Sequence, residues 1–347
     1  MKIARIILCT LFTWIMALSL FRPVVAESLV LALATAERAD LGEQIIISGN
    51  LTLDGTPVTD GLVTIQVQDP RANNIVVRTL NTGTDPPRPW IIEILEFYTC
   101  GLSGQVQTSF PIGSVVGFTV KLINNASSTH TVVVPVYIQY ADSRPFMSFI
   151  IYNSTIDGGK TANVTAFIQM PDNAPIGTTH AYASALTGYP SDDGYAYSPE
   201  KATAFEITTL ALGASNQSQA ESGLAASGSS FSMIFKTNPR GGVLGNYTIY
   251  ATSWYYPRFI STQKTLNIVL TGDITGPQSG VPDGKVDARD VSRVARAFGS
   301  RAGPPPSPNW DPICDITGPA PWVPDGKVDA RDVAGCARNF GKYGTLP

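Results

Sequence analysis

The chain has 347 residues, of which 44% are hydrophobic and 15% charged, with a formal net charge of −3. That balance argues against a nucleic-acid partner, which is met by a basic face. Its two histidines, His130 and His180, argue against a histidine-built metal centre or a nucleophile–histidine relay.

In chain order, Lys2 and Arg5 precede an apolar run from Ile6 to Leu20, and Val24-Val25-Ala26 follows. This layout predicts a signal peptide over residues 1–26 and a secreted or cell-surface protein. The run is shorter than the ~20 residues that span a bilayer comfortably. No later run is longer, so no membrane span is expected in the mature chain. Asn-x-Ser/Thr triplets at Asn50, Asn125, Asn153, Asn163, Asn216 and Asn246 accord with export. Cys9 leaves with the signal peptide, and Cys100, Cys314 and Cys336 remain.

From Leu29 to Leu270 the pattern is short β-rich runs broken by Gly, Pro, Asn and Asp. Runs at Gln44–Gly49, Leu62–Val67, Trp90–Tyr98, Val115–Leu122, Thr131–Tyr140, Met147–Tyr152, Ala162–Gln169, Ala181–Leu186 and Ala202–Thr208 predict a mainly β chain built of sandwiches. Pro135 inside one run implies an edge strand or a bulge. The alternating stretch Phe118-Thr119-Val120-Lys121-Leu122 before Asn124-Asn125 resembles the Ig-like adhesion modules of prokaryotic cell surfaces. Leu41–Gly49 followed by Asp54–Val58 and Leu62–Val67 resembles the opening of macroglobulin-type or Ig-like repeats. Its closing strands do not follow directly. Ser230–Phe235, Gly245–Ala251 and Leu266–Leu270 supply candidates. The expectation is a discontinuous domain over 28–84 plus 225–270, an inserted domain over 88–210, and a flexible Gly/Ser/Ala crossover at 211–224. Three consecutive small modules are the alternative.

The last segment is an internal duplication. Gly272-Asp273-Ile274-Thr275-Gly276 returns as Cys314-Asp315-Ile316-Thr317-Gly318, and Pro282–Val291 returns unchanged as Pro324–Val333, both at an offset of 42 residues. The spacing suits a calcium loop, in which a hard cation takes oxygens at positions 1, 3, 5, 7, 9 and 12 around a turn glycine. In the first copy these are Asp273, Thr275, Asp283, the Lys285 carbonyl, Asp287 and Asp290, with Gly284 at the turn. In the second they are Asp315, Thr317, Asp325, Lys327, Asp329 and Asp332, with Gly326 at the turn. Two bound calcium ions are expected. One helix follows each loop, with stripes Val291, Val294, Ala295, Phe298 and Val333, Cys336, Ala337, Phe340.

Duplicated loop–helix units that close on Asp and lack an entering helix resemble the dockerin type I family over residues 271–347. The resemblance implies a small all-α, two-calcium domain that docks a cohesin-like partner through Ala288, Arg289, Ala330 and Arg331. The six-residue segments Pro277–Pro282 and Pro319–Pro324 lengthen both loops and are similar to a variant met in archaeal surface proteins. Thr275 and Thr317 stand where relatives usually carry Asn or Asp. Cys314 and Cys336 are placed to staple loop to helix by a disulfide. A buried free thiol at Cys336 is the alternative.

The leading functional expectation is a non-catalytic secreted or surface protein, a β-sandwich spacer or adhesion unit with a calcium-dependent docking module. The alternative is an accessory component that binds carbohydrate or serves polysaccharide degradation and is delivered by its dockerin. Glu93, Glu96, Asp192, Asp193 and Glu200 include no marked catalytic pair. Trp254, Tyr255 and Tyr256 could stack on sugar rings, though core or edge packing also accounts for them. A third reading makes the last segment a brace against the β region.

Overall fold

A computed structural model describes residues 28–209 and 229–347. The predicted signal peptide and crossover lie outside the described residues. The chain is mainly β. Its strands are β1 (Leu29–Ala34), β2 (Arg38–Asp40), β3 (Gln44–Leu53), β4 (Thr56–Pro57), β5 (Leu62–Gln68), β6 (Asn74–Asn81), β7 (Ile92–Cys100), β8 (Ser109–Pro111), β9 (Val115–Asn124) and β10 (His130–Tyr140). They continue as β11 (Pro145–Ile156), β12 (Thr161–Gln169), β13 (Gly177–Ala183), β14 (Lys201–Thr208), β15 (Ser230–Lys236), β16 (Arg240–Val243), β17 (Gly245–Tyr255), β18 (Arg258–Val269) and β19 (Tyr343–Thr345). Two α-helices, α1 (Ala288–Ala297) and α2 (Ala330–Arg338), complete the described regular structure with two short 3-10 turns.

Strands from the two ends of the β region share sheets. β15 pairs with β3 in the order β1-β3-β15, and β17 pairs with β5 in the order β2-β18-β17-β5-β6. These sheets face one another across a core that includes Leu31, Ile47, Val63, Ile65, Phe231, Phe235, Ile249 and Ile268. Between them in sequence, β12-β9-β7 and β11-β10-β13-β14-β8 enclose a second core around Phe118, Val134, Val136, Ile138 and Phe205. The alternation of β1, buried at every second residue, follows from the period-2 pleat.

Strand β10 decides how the two units meet. Val134, Val136 and Ile138 face the second core, while Tyr137 between them is buried in the first. Both faces are covered because β6 packs across it. Pro135 is not on an edge: β10 lies between β11 and β13, and the register slips at Val134/Pro135. The bulge accommodates a residue with no N–H to donate.

Polar contacts weld the units. Arg78 on β6 donates twice to Glu200, with Nη2–Oε1 at 2.5 Å and Nε–Oε2 at 2.9 Å. Its guanidinium lies 3.4 Å from the Tyr182 ring centroid. Burial pushes the Arg78 pKa down, but Glu200 more than offsets this and holds it above the ordinary value. Gln139 donates to the Ile234 carbonyl at 2.9 Å, and Ser191 N–H to Gln66 at 2.7 Å.

Residues 271–347 pack on the first unit. Ile274, Val286, Val294, Ala297, Cys314, Val328 and Cys336 belong to its core. Buried Asp40 accepts from Thr271 N–H at 3.0 Å and from Arg338 at 2.6 Å. Lys342 donates to the Leu41 carbonyl at 2.8 Å, and β19 runs parallel to β16. The segment is therefore not all-α: its two helices are joined by loops and end in a strand added to the β body.

Candidate calcium-loop site

Each loop is organised by its own carboxylates. Asp287 caps α1 and Asp290 returns the bond as the third helical residue: Arg289 N–H donates to Asp287 at 2.8 Å and Asp287 N–H to Asp290 Oδ2 at 2.8 Å. Such a reciprocal box satisfies N–H groups that the first helical turn leaves open. Asp290 Oδ1 also accepts from Ile274 and Thr275 N–H, both at 2.9 Å. Asp273 accepts from Asp283 N–H at 3.1 Å and Gly284 N–H at 2.8 Å. Gly284 has φ +80°, the left-handed turn that favours glycine.

The inserted Pro277–Pro282 segment bulges outward. Gly280 N–H donates to the Thr275 hydroxyl at 3.0 Å, and the backbone at Asp283 still reaches Asp273. Sequence positions 1 and 5 are adjacent in space despite six extra residues.

The second loop repeats this pattern. Asp332 accepts from Ile316 N–H at 2.7 Å, Thr317 N–H at 2.9 Å and Asp329 N–H at 2.8 Å. Asp315 accepts from Asp325 N–H at 3.1 Å and Gly326 N–H at 2.8 Å. Trp322 N–H takes the place of Gly280, donating to Thr317 at 3.2 Å. The copies also exchange strands. Val286 pairs with Gly341 and Lys342 beyond α2, while Val328 pairs with Gly299 and Ser300 beyond α1. This reciprocal pairing has no signal in either copy alone.

Burial pushes the Asp273 carboxyl up to about 6, opposed by its two backbone donors and assisted by Asp290 and Asp283. Asp290 and Asp332 are fully buried. Lys285 and Lys327 hold their turns through N–H bonds to Asp283 and Asp325, both 3.2 Å. Among the described residues no three acidic, His or Cys side chains converge as a ligand cluster. Arginines occupy part of the space between them. Arg289 reaches Asp287 at 2.7 Å and Asp283 at 3.2 Å, and Arg331 reaches Asp325 at 3.0 Å. Both side chains bond the acids of their own loops while remaining about half exposed. Ala288 and Ala330 open the helices and are exposed.

The donor set suits calcium chemically. It is all oxygen, mostly anionic, and arranged around glycine turns by backbone N–H groups. The carboxylates of Asp273, Asp283, Asp287 and Asp290 would hold the ion with Thr275 and the Lys285 carbonyl, and their counterparts would do so in the second loop.

The expected Cys314–Cys336 disulfide is not formed; both are buried free thiols, as is Cys100. Cys336 points at the Gly272 carbonyl, 3.6 Å away, whereas Cys314 interacts with Asp311 and Arg293. Burial pushes the thiols up to about 12 and about 11. The helix stripes are also shorter than expected. Val294, Ala297 and Cys336 are buried, but Ala295 and Ala337 are exposed, and Phe298 and Phe340 are 53% and 57% exposed. The phenylalanines lie just past the helix ends, where the helical rotation stops. Ala295, Phe298, Ala330, Val333 and Ala334 line a shallow apolar groove between the helices.

Of the other acids singled out, Glu200 is held by Arg78, Glu93 by Arg88 at 3.1 Å and Glu96 by Lys121 at 2.9 Å. Asp192 and Asp193 lie at a 3-10 turn.

No protein-family model matches the chain, and no curated protein matches it. Among solved structures, Pseudomonas fluorescens alkylpurine DNA glycosylase AlkC bound to DNA aligns at 12% identity and TM-score 0.27, over 34% of this chain and 30% of that one. The C-terminal domain of wzt aligns at 13% identity and TM-score 0.29, over 38% of this chain and 86% of that one. Listeria innocua beta-glucosidase with glucose aligns at 11% identity and TM-score 0.25, over 36% of this chain and 16% of that one. Likeness this slight carries no argument about fold family or activity.

Proposed function

We propose that this is a non-catalytic secreted or cell-surface protein. Its Ig-like β units act as a spacer or adhesion body, and its dockerin-like C-terminal segment binds two calcium ions and docks a cohesin-like protein or another surface component. One observation carries the reading: two loops 42 residues apart repeat the same carboxylate-to-backbone bonds. Calcium would draw Asp283 and Asp287 away from Arg289, and Asp325 and Asp329 away from Arg331. The arginines would then be free to turn outward beside the apolar groove between α1 and α2. Two similar loop–helix faces would let a partner dock in either orientation.

Calorimetry on the chain lacking residues 1–26 tests the first step, with two equivalents of calcium expected. A chain that gives no calcium heat at any loading would remove the basis of the reading. Pull-down of secreted proteins with and without chelator tests the second; partner capture indifferent to calcium would separate docking from these loops.

A second reading is favoured by Asp40, which joins Thr271 and Arg338 to the β body. The segment then acts as a calcium-dependent brace. Loss of the first unit's cooperative unfolding on chelation, with no calcium-dependent partner, would favour it.

A further inference from the structure

A cleft of about 370 Å³ lies where the two β units meet, and no residue of 271–347 lines it. Trp90, Tyr195, Tyr197, Trp254, Tyr255 and Tyr256 line it, with Asp60 at one side. We infer that this cleft is a binding site for a neutral oligosaccharide. Its size falls at the lower end of small-ligand sites, which commonly form between domains.

The floor is a fixed aromatic platform. Trp254 stacks on Tyr195 with ring centroids 5.5 Å apart and planes 15° from parallel. Tyr256 stands edge-on to Trp254 at 5.6 Å. Trp254 lies opposite Phe259 in the β17–β18 hairpin, and Phe259 packs against Tyr195 at 6.0 Å. One unit thus supplies the hairpin and the other supplies Tyr195 and Tyr197, so the platform exists only when both are in place. Trp254 is 36% exposed and Tyr256 79% exposed. Large aromatic faces left open to water at a concave junction are unusual on a soluble surface.

The edges of the platform are polar. Among the described residues, the Trp254 indole N–H and the hydroxyls of Tyr195 and Tyr256 make no hydrogen bond. Asp60 Oδ1 accepts from the Tyr255 hydroxyl at 3.0 Å, which leaves Oδ2 able to accept another. A pyranose ring has the matching character, with an apolar C–H face to lie on an indole and a rim of hydroxyls to bond its edges. A hydrocarbon chain would bury Asp60 Oδ2 without a partner, which is costly. An anionic ligand would be repelled by that carboxylate. Arg88, between the lining residues Pro87 and Pro89, is stacked on Trp90 at 4.4 Å and paired with Glu93.

The test uses the chain lacking residues 1–26. Tryptophan fluorescence and calorimetry would be followed during titration with neutral hexasaccharides of β-1,4-glucan, β-1,3-glucan, xylan, mannan and chitin, and with a free mannose-rich N-glycan. At least one should bind saturably, equally with and without chelator, and the panel separates wall polysaccharide from protein-borne glycan as its source. Trp254→Ala should weaken that binding at least tenfold. Tyr256→Ser, at a side chain too exposed to endanger folding, should weaken it severalfold, and Asp60→Asn should change the preference among sugars. The inference is overturned if no sugar binds, if binding is undiminished in both aromatic variants, or if a proline-rich peptide occupies the cleft instead. Because the calcium loops contribute nothing to the cleft, failure here would leave the calcium reading intact, and the converse also holds.

Discussion

At the residue scale, the closing aspartates differ from the other loop ligands. Asp290 takes three backbone N–H groups inside the protein. Asp290→Ala would orphan all three, and an unsatisfied buried donor costs about 1–3 kcal/mol. Asp290→Ala and Asp332→Ala should each abolish one calcium site and lower stability by at least that much in urea titrations. Thr275→Val, which removes the acceptor of a single N–H from a buried side chain, should cost less in both readouts; equal losses would show that the ligand register is misassigned. Arg289 and Arg331 lead to the opposite expectation. They are exposed ions competing for the same oxygens, and such surface pairs are weak. Replacing either with Ala should therefore strengthen calcium binding up to about fivefold at its own loop. Calorimetry reads this directly, and unchanged affinity would show that the guanidinium does not compete. The thiols give a third test. Cys100, Cys314 and Cys336 are all buried and unpaired, so Ellman's reagent should find none in the native chain lacking residues 1–26 and all of them after denaturation. A single reactive thiol in denaturant would mean that Cys314 and Cys336 are bridged after all.

At the scale of elements, the twin loops are alike in sequence but not in surroundings. Gly284 and Gly326 both have φ +80°. A methyl group added at Gly284 would come within 2.9 Å of the Gly344 carbonyl, whereas at Gly326 it would meet only Ala302 at 3.7 Å. The left-handed conformation alone costs a non-glycine residue about 1–2 kcal/mol. Gly326→Ala should show roughly that loss in thermal unfolding, and Gly284→Ala a clearly larger one, because it also disturbs β19. Equal effects would mean that β19 is not seated on the first loop. The strands show the same dependence on context. Alternation in Phe118–Leu122 makes β9 legible as a strand. The polar stretch Ser261–Thr265 does not alternate in hydrophobicity, yet it belongs to β18, because pairing with β17 carries it past the core.

At the scale of the whole molecule, the junction of the β units contains one buried ion pair and the buried Tyr137. Removing one member of such a pair leaves an uncompensated buried charge, at a typical cost of about 3–5 kcal/mol. Arg78→Leu should therefore lower stability by that order and split one calorimetric unfolding transition into two. Arg78→Leu with Glu200→Leu should recover much of the loss. A single transition in the Arg78→Leu variant would show that the apolar contact around Tyr137 suffices to hold the units together.

The sequence by itself determined what depends on local order along the chain. Period-2 runs set a mainly β chain, and an unchanged ten-residue repeat set two loops with carboxylates at matching positions. The turn glycines and helix caps follow from residue type and neighbours alone, so they could be read directly. Only the tertiary structure decided what depends on who packs against whom. Tyr137 alternates with Val134, Val136 and Ile138 along β10, yet it too is buried because β6 covers it. Phe298 and Phe340 read as stripe residues and are exposed because the helices end first. Cys314 and Cys336 read as a bridge, yet each sulfur finds a different partner in the packed core. The crossing of Val286 and Val328 to the opposite copy, the strand β19 added to the body and the platform of Trp254 on Tyr195 join residues tens to hundreds of positions apart. No local pattern encodes such contacts, since they form only when the burial of distant apolar faces brings those residues together.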